Sequence, residues 1–293
     1  FEQTGGYCMI LKPTDSGIPE ILDANEAACE VHGYTKEELI GRPVADLDDE
    51  EGKKQCRKNT EIILSGQTLM IENNHLRKDG TTFPVAVFAN RVEFDDKPPL
   101  IVTTEFDISE QKEREGLLRD NIYVLENLSK IDEIFRHGTD AEQTINNILE
   151  VMLTMFDCDR AWLLHPCDPD AEYWTIPFER TRPEYPGASQ KDEKHPMTPE
   201  VAKDMKELLF DEKLIHGNYK PGEAEYDPDD EFSIKSYLVS VLRPKVRQPW
   251  EIGIHKCSHE RIWTDLELML FQGVKLRVEA ALNTFLILSD LKN

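Results

Sequence analysis

Three side chains near the end of the chain, His255, Cys257 and His259, stand two residues apart in the run His255-Lys256-Cys257-Ser258-His259. On an extended strand that spacing puts all three on one face, where imidazole or thiolate can ligate an iron and a cysteine can hold a flat cofactor covalently. The same residues read equally as an ordinary strand end, with Cys257 a small buried hydrophobe and the histidines hydrogen-bonded near the surface. Zinc needs more converging ligands, and His165 and Cys167 would complete a set only if the fold brings them to Cys257. Arg180 and Arg182 flank Thr181 and offer paired guanidinium donors to a carboxylate or phosphate, unless Glu179 and Glu184 neutralise them. Trp162, with Trp174, Trp250 and Trp263, reads either as core or as the wall of a ligand box. The chain has no G-x-S-x-G, Walker loop or kinase nucleotide motif, so nothing in it points to hydrolysis or group transfer.

The elements that must position these groups fall into two sets. Up to residue 108 the pattern is one of short strands and short helices. An extended Cys8-Met9-Ile10-Leu11 is followed by Ile21-Leu22-Asp23 and a helix capped by Asn25, and a hairpin turns at Lys78-Asp79-Gly80. One more β-branched strand, residues 100–106, follows a turn over 95–99. At Asp107-Ile108-Ser109-Glu110 the period changes to helical. Leu118, Ile122 and Leu125 step by four and three, and Leu128, Ile131 and Phe135 continue after a phase shift, which predicts one amphipathic linker helix over 109–137 that can pair as a coiled coil.

Beyond Gly138 the pattern predicts a helix from Thr139 to Phe156, strands over 159–164 and 174–178, and a loop rich in Pro, Lys and acid over 182–196. A helix opens at Thr198-Pro199-Glu200, strands follow over 232–242 and 250–257, and the capping box Thr264-Asp265-Leu266-Glu267 starts a last helix running almost to Asn293. An antiparallel sheet with helices on one side satisfies this order. The expected class is α+β, with two domains, each an antiparallel sheet flanked by helices.

A length of 293 residues, 39% of them apolar and 31% charged, suits two cores. Acids outnumber bases by 57 to 34, and no basic cluster stands apart from them, so the field repels nucleic acid and anionic lipid. The acid runs Asp46 to Glu51 and Asp227 to Glu231 lack the glycine and closing glutamate of an ion-binding loop. No apolar stretch reaches the roughly 20 residues of a membrane span, and the six cysteines carry no C-x-x-C, which fits a reducing cytosol and a cytoplasmic protein. The start at Phe1 points to a piece of a longer protein.

Asp23-Ala24-Asn25-Glu26-Ala27-Ala28, then Gly33-Tyr34-Thr35-Lys36-Glu37-Glu38-Leu39-Ile40-Gly41, resembles the first half of a PAS domain. Arg77-Lys78-Asp79-Gly80 with Pro84-Val85 is similar to its later hairpin, and Asp107-Ile108-Ser109-Glu110 to the segment that hands over to a signalling helix. Residues 138–293 resemble a GAF domain, most clearly in Cys257-Ser258-His259-Glu260-Arg261-Ile262-Trp263-Thr264, similar to phytochrome-related sensor histidine kinases; Asp159-Arg160-Ala161-Trp162-Leu163-Leu164 and Glu179-Arg180-Thr181-Arg182 resemble an archaeal and bacterial subgroup. The resemblance implies a PAS domain (1–108), a linker helix (109–137) and a GAF domain (138–293) that form the sensory input of a histidine kinase. Some archaeal members of that group bind haem, which implies Cys257, His255, His259, Arg180 and Trp162 as cofactor contacts. It also implies a homodimer paired through its helices and an output domain in the same polypeptide. Flavin photochemistry is not expected, because Cys56 lacks the Asn-Cys-Arg-Phe setting; a haem PAS is not expected either, because no histidine falls near Asn59 to Leu64 and His75 falls on a strand. Two functions remain: a sensor of haem or another small molecule, and a ligand-free interaction and dimerisation module.

Overall fold

The computed structural model describes residues 6–95, 97–138, 140–188, 193–211, 214–218 and 233–292, and the chain divides into two compact units, Phe1–Arg119 and Asp120–Asn293. In the first unit β1 (Tyr7–Lys12), β2 (Glu20–Ala24), β3 (Leu69–Leu76), β4 (Thr82–Phe94) and β5 (Lys97–Asp107) form one sheet in the order β2-β1-β5-β4-β3, antiparallel throughout. Helices α1 (Glu26–His32), α2 (Lys36–Leu39) and α3 (Glu50–Leu64) pack on the sheet around Met9, Ile21, Ala28, Leu39, Leu47 and Ile101.

The local chemistry accounts for the boundaries. Asn25 accepts the Ala28 N–H at 3.0 Å to open α1, and Gly33 at φ 75° closes it. Thr35 and Glu38 form a reciprocal capping box for α2, and Gly80 at φ 89° turns β3 into β4. The β4–β5 turn is tighter than the sequence predicts: Phe94 already pairs with Lys97, so Pro98 and Pro99 lie inside β5. The prolines are tolerated because β1 pairs only with residues from Ile101 onward, which leaves this end of β5 an edge with no ladder on one side.

Strand β5 runs straight into α4 (Ser109–His137). The Asp107 carboxylate accepts the Ser109 N–H at 2.8 Å, and the Ile108 N–H donates to the Pro84 carbonyl. The phase shift in the α4 stripe has a structural meaning: Leu118 and Leu125 are 61% and 65% exposed, whereas Leu128 and Ile131 are buried in the second unit's core.

In the second unit α5 (Ala141–Met155), β6 (Arg160–His165), β7 (Tyr173–Thr181), β8 (His195–Pro196), α6 (Pro199–Asp211), β9 (Ile215–Asn218), β10 (Ser236–Leu242), β11 (Trp250–Lys256) and α7 (Asp265–Lys292) build an antiparallel sheet ordered β8-β7-β6-β11-β10-β9. Ala161, Leu163, Ile252 and Ile254 pack with α5, α7 and the end of α4. Trp162, Leu164 and Val241 point to the opposite face and meet Met205 and Leu208 of α6. The expectation of helices on one side only is therefore corrected; the unbroken burial of β6 from Arg160 to Leu164 belongs to a strand covered on both faces. Strand β8 falls at the end of the predicted loop, and β9 is a strand that the sequence pattern does not predict. The predicted starts at Thr139 and Phe232 and the acid run Asp227 to Glu231 lie outside the described residues. No helix among the described residues is long and apolar enough to cross a membrane.

Candidate functional site

The predicted residues of the second unit do not converge. Strand β11 ends at Lys256, so the one-face arrangement of His255, Cys257 and His259 is not realised. His255 is half-buried on the α6 side of the sheet, where its Nε2 accepts the Trp162 indole N–H at 3.3 Å and the rings lie 5.2 Å apart. Trp162 can lie there because the facing position of β11 is Gly253, where a Cβ would run into the indole. His259 is exposed, its Nδ1 sharing a hydrogen bond with the Ser258 hydroxyl.

Cys257 is buried, and its backbone is what the structure fixes. Its N–H and that of Ser258 donate to one Asp159 carboxylate oxygen at 2.8 and 2.9 Å. Asp159 is 1% exposed and lies 3.7 Å from the Lys256 ammonium and 3.6 Å from Arg182. Burial opposes ionisation, but the two N–H groups and the ammonium outweigh it and hold this carboxyl below its usual range. Arg180 turns away: it donates to the Glu179 carbonyl and faces Glu150 at 3.8 Å, so the paired-guanidinium arrangement with Arg182 is not formed. His165 and Cys167 do not join either, because Arg160 pairs with His255 and Leu164 with Glu251, which puts them at the far end of the strands.

What the α6 side of the sheet does offer is hydrogen-bonding capacity. With Nε2 accepting from Trp162, Nδ1 of neutral His255 carries the proton; it is buried, as is the Trp174 indole nitrogen, and neither finds a partner among the described residues. Burial, then the positive charge of Arg160, drives His255 down to about 3, and burial lifts Glu251 to about 8, so both are neutral near pH 7. Haem fits this arrangement poorly: iron needs an imidazole lone pair, and the one on His255 is engaged by Trp162. An acceptor-bearing ligand fits better.

The first unit holds a group that the sequence reasoning missed. His32, at the end of α1, His75 on β3 and Glu105 on β5 gather their ligating atoms within 4.8 Å of one another, and all three are buried. His32 Nδ1 donates to the Ala28 carbonyl at 2.8 Å, which leaves its Nε2 lone pair facing His75 Nδ1 at 3.0 Å. Glu105 Oε2 lies 3.7 Å from the same His75 nitrogen and has no hydrogen-bond partner among the described residues. On the other side of His75, Asp48 Oδ1 lies 3.5 Å from Nε2 and accepts a 2.6 Å bond from Asn73. Burial raises Asp48 to about 7 and Glu105 to about 8, and burial, helped by neighbouring His32, lowers His75 to about 3. The sequence signal was faint: an acid in the otherwise β-branched run of β5, where Ile101, Thr103 and Glu105 alternate inward.

Residues 6–110 match the PAS domain family, and this part of the chain is a PAS domain. The chain is 27% identical over 113 residues to the methyl sulfide methyltransferase-associated sensor of Methanosarcina acetivorans, a stretch that is 39% of this chain and 11% of that sensor. Similar solved structures include the PAS domain of an HTR-like protein from Haloarcula marismortui (20% identity, 37% of this chain and 85% of that one, TM-score 0.33). They also include the chromophore-binding domain of a Stigmatella aurantiaca bacteriophytochrome (16% identity, 96% of this chain and 94% of that one, TM-score 0.43).

Proposed function

We propose that this chain is the sensory input region of a signal-transduction protein, with a PAS domain followed by a GAF-type domain that binds a small molecule on the α6 side of its sheet. The observation that carries the reading is the junction at residues 107–109. The strand leaving the PAS sheet is hydrogen-bonded to the first turn of α4, and the far end of that helix is built into the second core. A change in either interior therefore acts on α4. The exposed stripe of Leu118, Ile122 and Leu125 supports a homodimer paired along α4, with an output domain such as a histidine kinase as the proposed receiver of the signal. His255 is the proposed donor to the ligand through Nδ1, with Trp162 fixing its ring. Cys257 serves as a buried anchor of the loop, not as a cofactor ligand. Cytoplasmic residence fits this role.

The test is a thermal-shift panel of small carboxylates, nucleotides and oxo compounds, read by tryptophan fluorescence, with His255→Phe alongside. A compound that raises the melting temperature of the parent and not of the variant is the expected result. A Soret band in protein expressed with a haem precursor, abolished in His255→Phe, would replace the ligand proposed here with haem. No stabilising compound and no Soret band would favour a ligand-free relay.

A further inference from the structure

We propose that the PAS interior binds a divalent transition-metal ion through His32 Nε2, His75 Nδ1 and Glu105 Oε2. The distances are already close to those of a metal site. An ion with bonds of about 2.0–2.1 Å holds tetrahedral ligand atoms about 3.3 Å apart; the His32–His75 and His75–Glu105 separations are 3.0 and 3.7 Å, and all three atoms lie within 4.8 Å.

The outer nitrogens are arranged as ligating histidines require. A metal-bound imidazole donates its other N–H to a carbonyl or carboxylate, which fixes both ring and tautomer. His32 Nδ1 meets the Ala28 carbonyl. His75 Nε2 faces Asp48, which is itself held by Asn73. On loading, the His75 proton passes from Nδ1 to Nε2, where Asp48 accepts it in a hydrogen bond, and the Nδ1 lone pair turns to the ion.

A purely structural hydrogen-bond network leaves something over. The His32–His75 bond is complete in itself, yet Glu105 Oε2, on a residue only 1% exposed, is aimed at the pair and, like the neighbouring Thr103 hydroxyl, makes no hydrogen bond among the described residues. A cation supplies what that oxygen lacks. Loading displaces the carboxyl protons of Glu105 and Asp48 to solvent, and the two carboxylates then balance a divalent ion beside two neutral imidazoles, which leaves the loaded interior uncharged. Two imidazoles and one carboxylate suit zinc or ferrous iron, not calcium or magnesium, which take oxygen ligands. Three protein ligands leave a position open, where a small signal molecule would be read. The cluster lies wholly within residues 6–110, so it stands or falls separately from the ligand proposed for the second unit.

The experiment uses the full chain, stripped with a chelator, dialysed and titrated with Zn2+. The expected result is one zinc per chain, with an X-ray absorption spectrum of nitrogen and oxygen at about 2.0–2.1 Å, imidazole outer-shell scattering and no sulfur. Asp48→Asn is expected to weaken binding by about 10- to 100-fold, Glu105→Gln by at least about tenfold, and Cys257→Ser not at all. Sub-stoichiometric zinc, a sulfur shell, zinc lost with Cys257→Ser, or unchanged affinity in folded Glu105→Gln would each overturn the proposal. If Glu105→Gln does not fold, the stoichiometry and the spectrum of the parent decide it alone.

Discussion

Asp159→Ala removes the carboxylate on which the end of β11 depends. The side chain accepts two backbone N–H bonds, from Cys257 and Ser258, each worth about 1.5–3 kcal/mol because the acceptor is charged. Its loss also strips one partner from Lys256, which is 3% exposed; breaking a buried pair costs about 3–5 kcal/mol. These contributions overlap, and Lys256 keeps the Asp157 carbonyl at 2.6 Å and its carboxylate at 3.1 Å. The expected loss is therefore about 3–5 kcal/mol, a large part of the 5–15 kcal/mol typical of a domain. Urea unfolding followed by tryptophan fluorescence reads this directly, because all four tryptophans lie in the second unit. Asp159→Asn, which keeps an acceptor but not the charge, is expected to lose less than Asp159→Ala. The folded pKa of Asp159 is depressed, so its contribution is present above the ordinary carboxylate range and disappears as pH falls through the folded value; parent and variant converge in acid. A loss below about 1 kcal/mol at pH 7 would refute the reasoning, since a carboxylate removed from two donors and a buried ammonium cannot be neutral.

Other consequences are equally specific. Gly253→Ala places a methyl against the Trp162 indole; an overpacking cost of about 1–3 kcal/mol and a changed Trp162 environment are expected in urea melts and fluorescence, and an unchanged protein would contradict the described packing. Leu118→Glu with Leu125→Glu is expected to turn a dimer into a monomer in sedimentation without lowering the melting temperature, whereas Leu128→Ala, in the core, is expected to cost about 2–5 kcal/mol. For pH, Glu251 is raised to about 8, so its contribution is full below about 4.5 and is lost as pH rises toward 8; His255 is lowered to about 3, so its contribution is full above about 6.5 and is lost as pH falls. The two slopes oppose each other between about pH 4.5 and 6.5, each at most about 1.4 kcal/mol per pH unit. Glu251→Gln is therefore expected to uncover a stability that rises with pH in that window, and His255→Phe one that falls.

Much of the fold was legible because it is local. The Asn25 cap, the reversal at Gly80 and the Thr264–Glu267 capping box each depend on residues within a few positions of one another. The α4 phase shift was visible as spacing alone; only the packed structure shows that the stripe before it is open and the stripe after it is core. Short edge strands such as Ile215–Asn218 carry too few residues for a period. The predicted site went astray for a geometric reason: it required β11 to continue past Lys256, and the strand stops where Asp159 takes the next two N–H groups. The His32–His75–Glu105 group was illegible because its members come from a helix and two strands far apart in sequence, joined only by the sheet order.

Native mass spectrometry of the full chain weighs the assembly and what it carries together. The expected species is a dimer bearing a small non-covalent ligand in addition to any metal, with that ligand lost in His255→Phe and the dimer retained. A bare monomer across concentrations would contradict both the helical pairing and the sensory pocket.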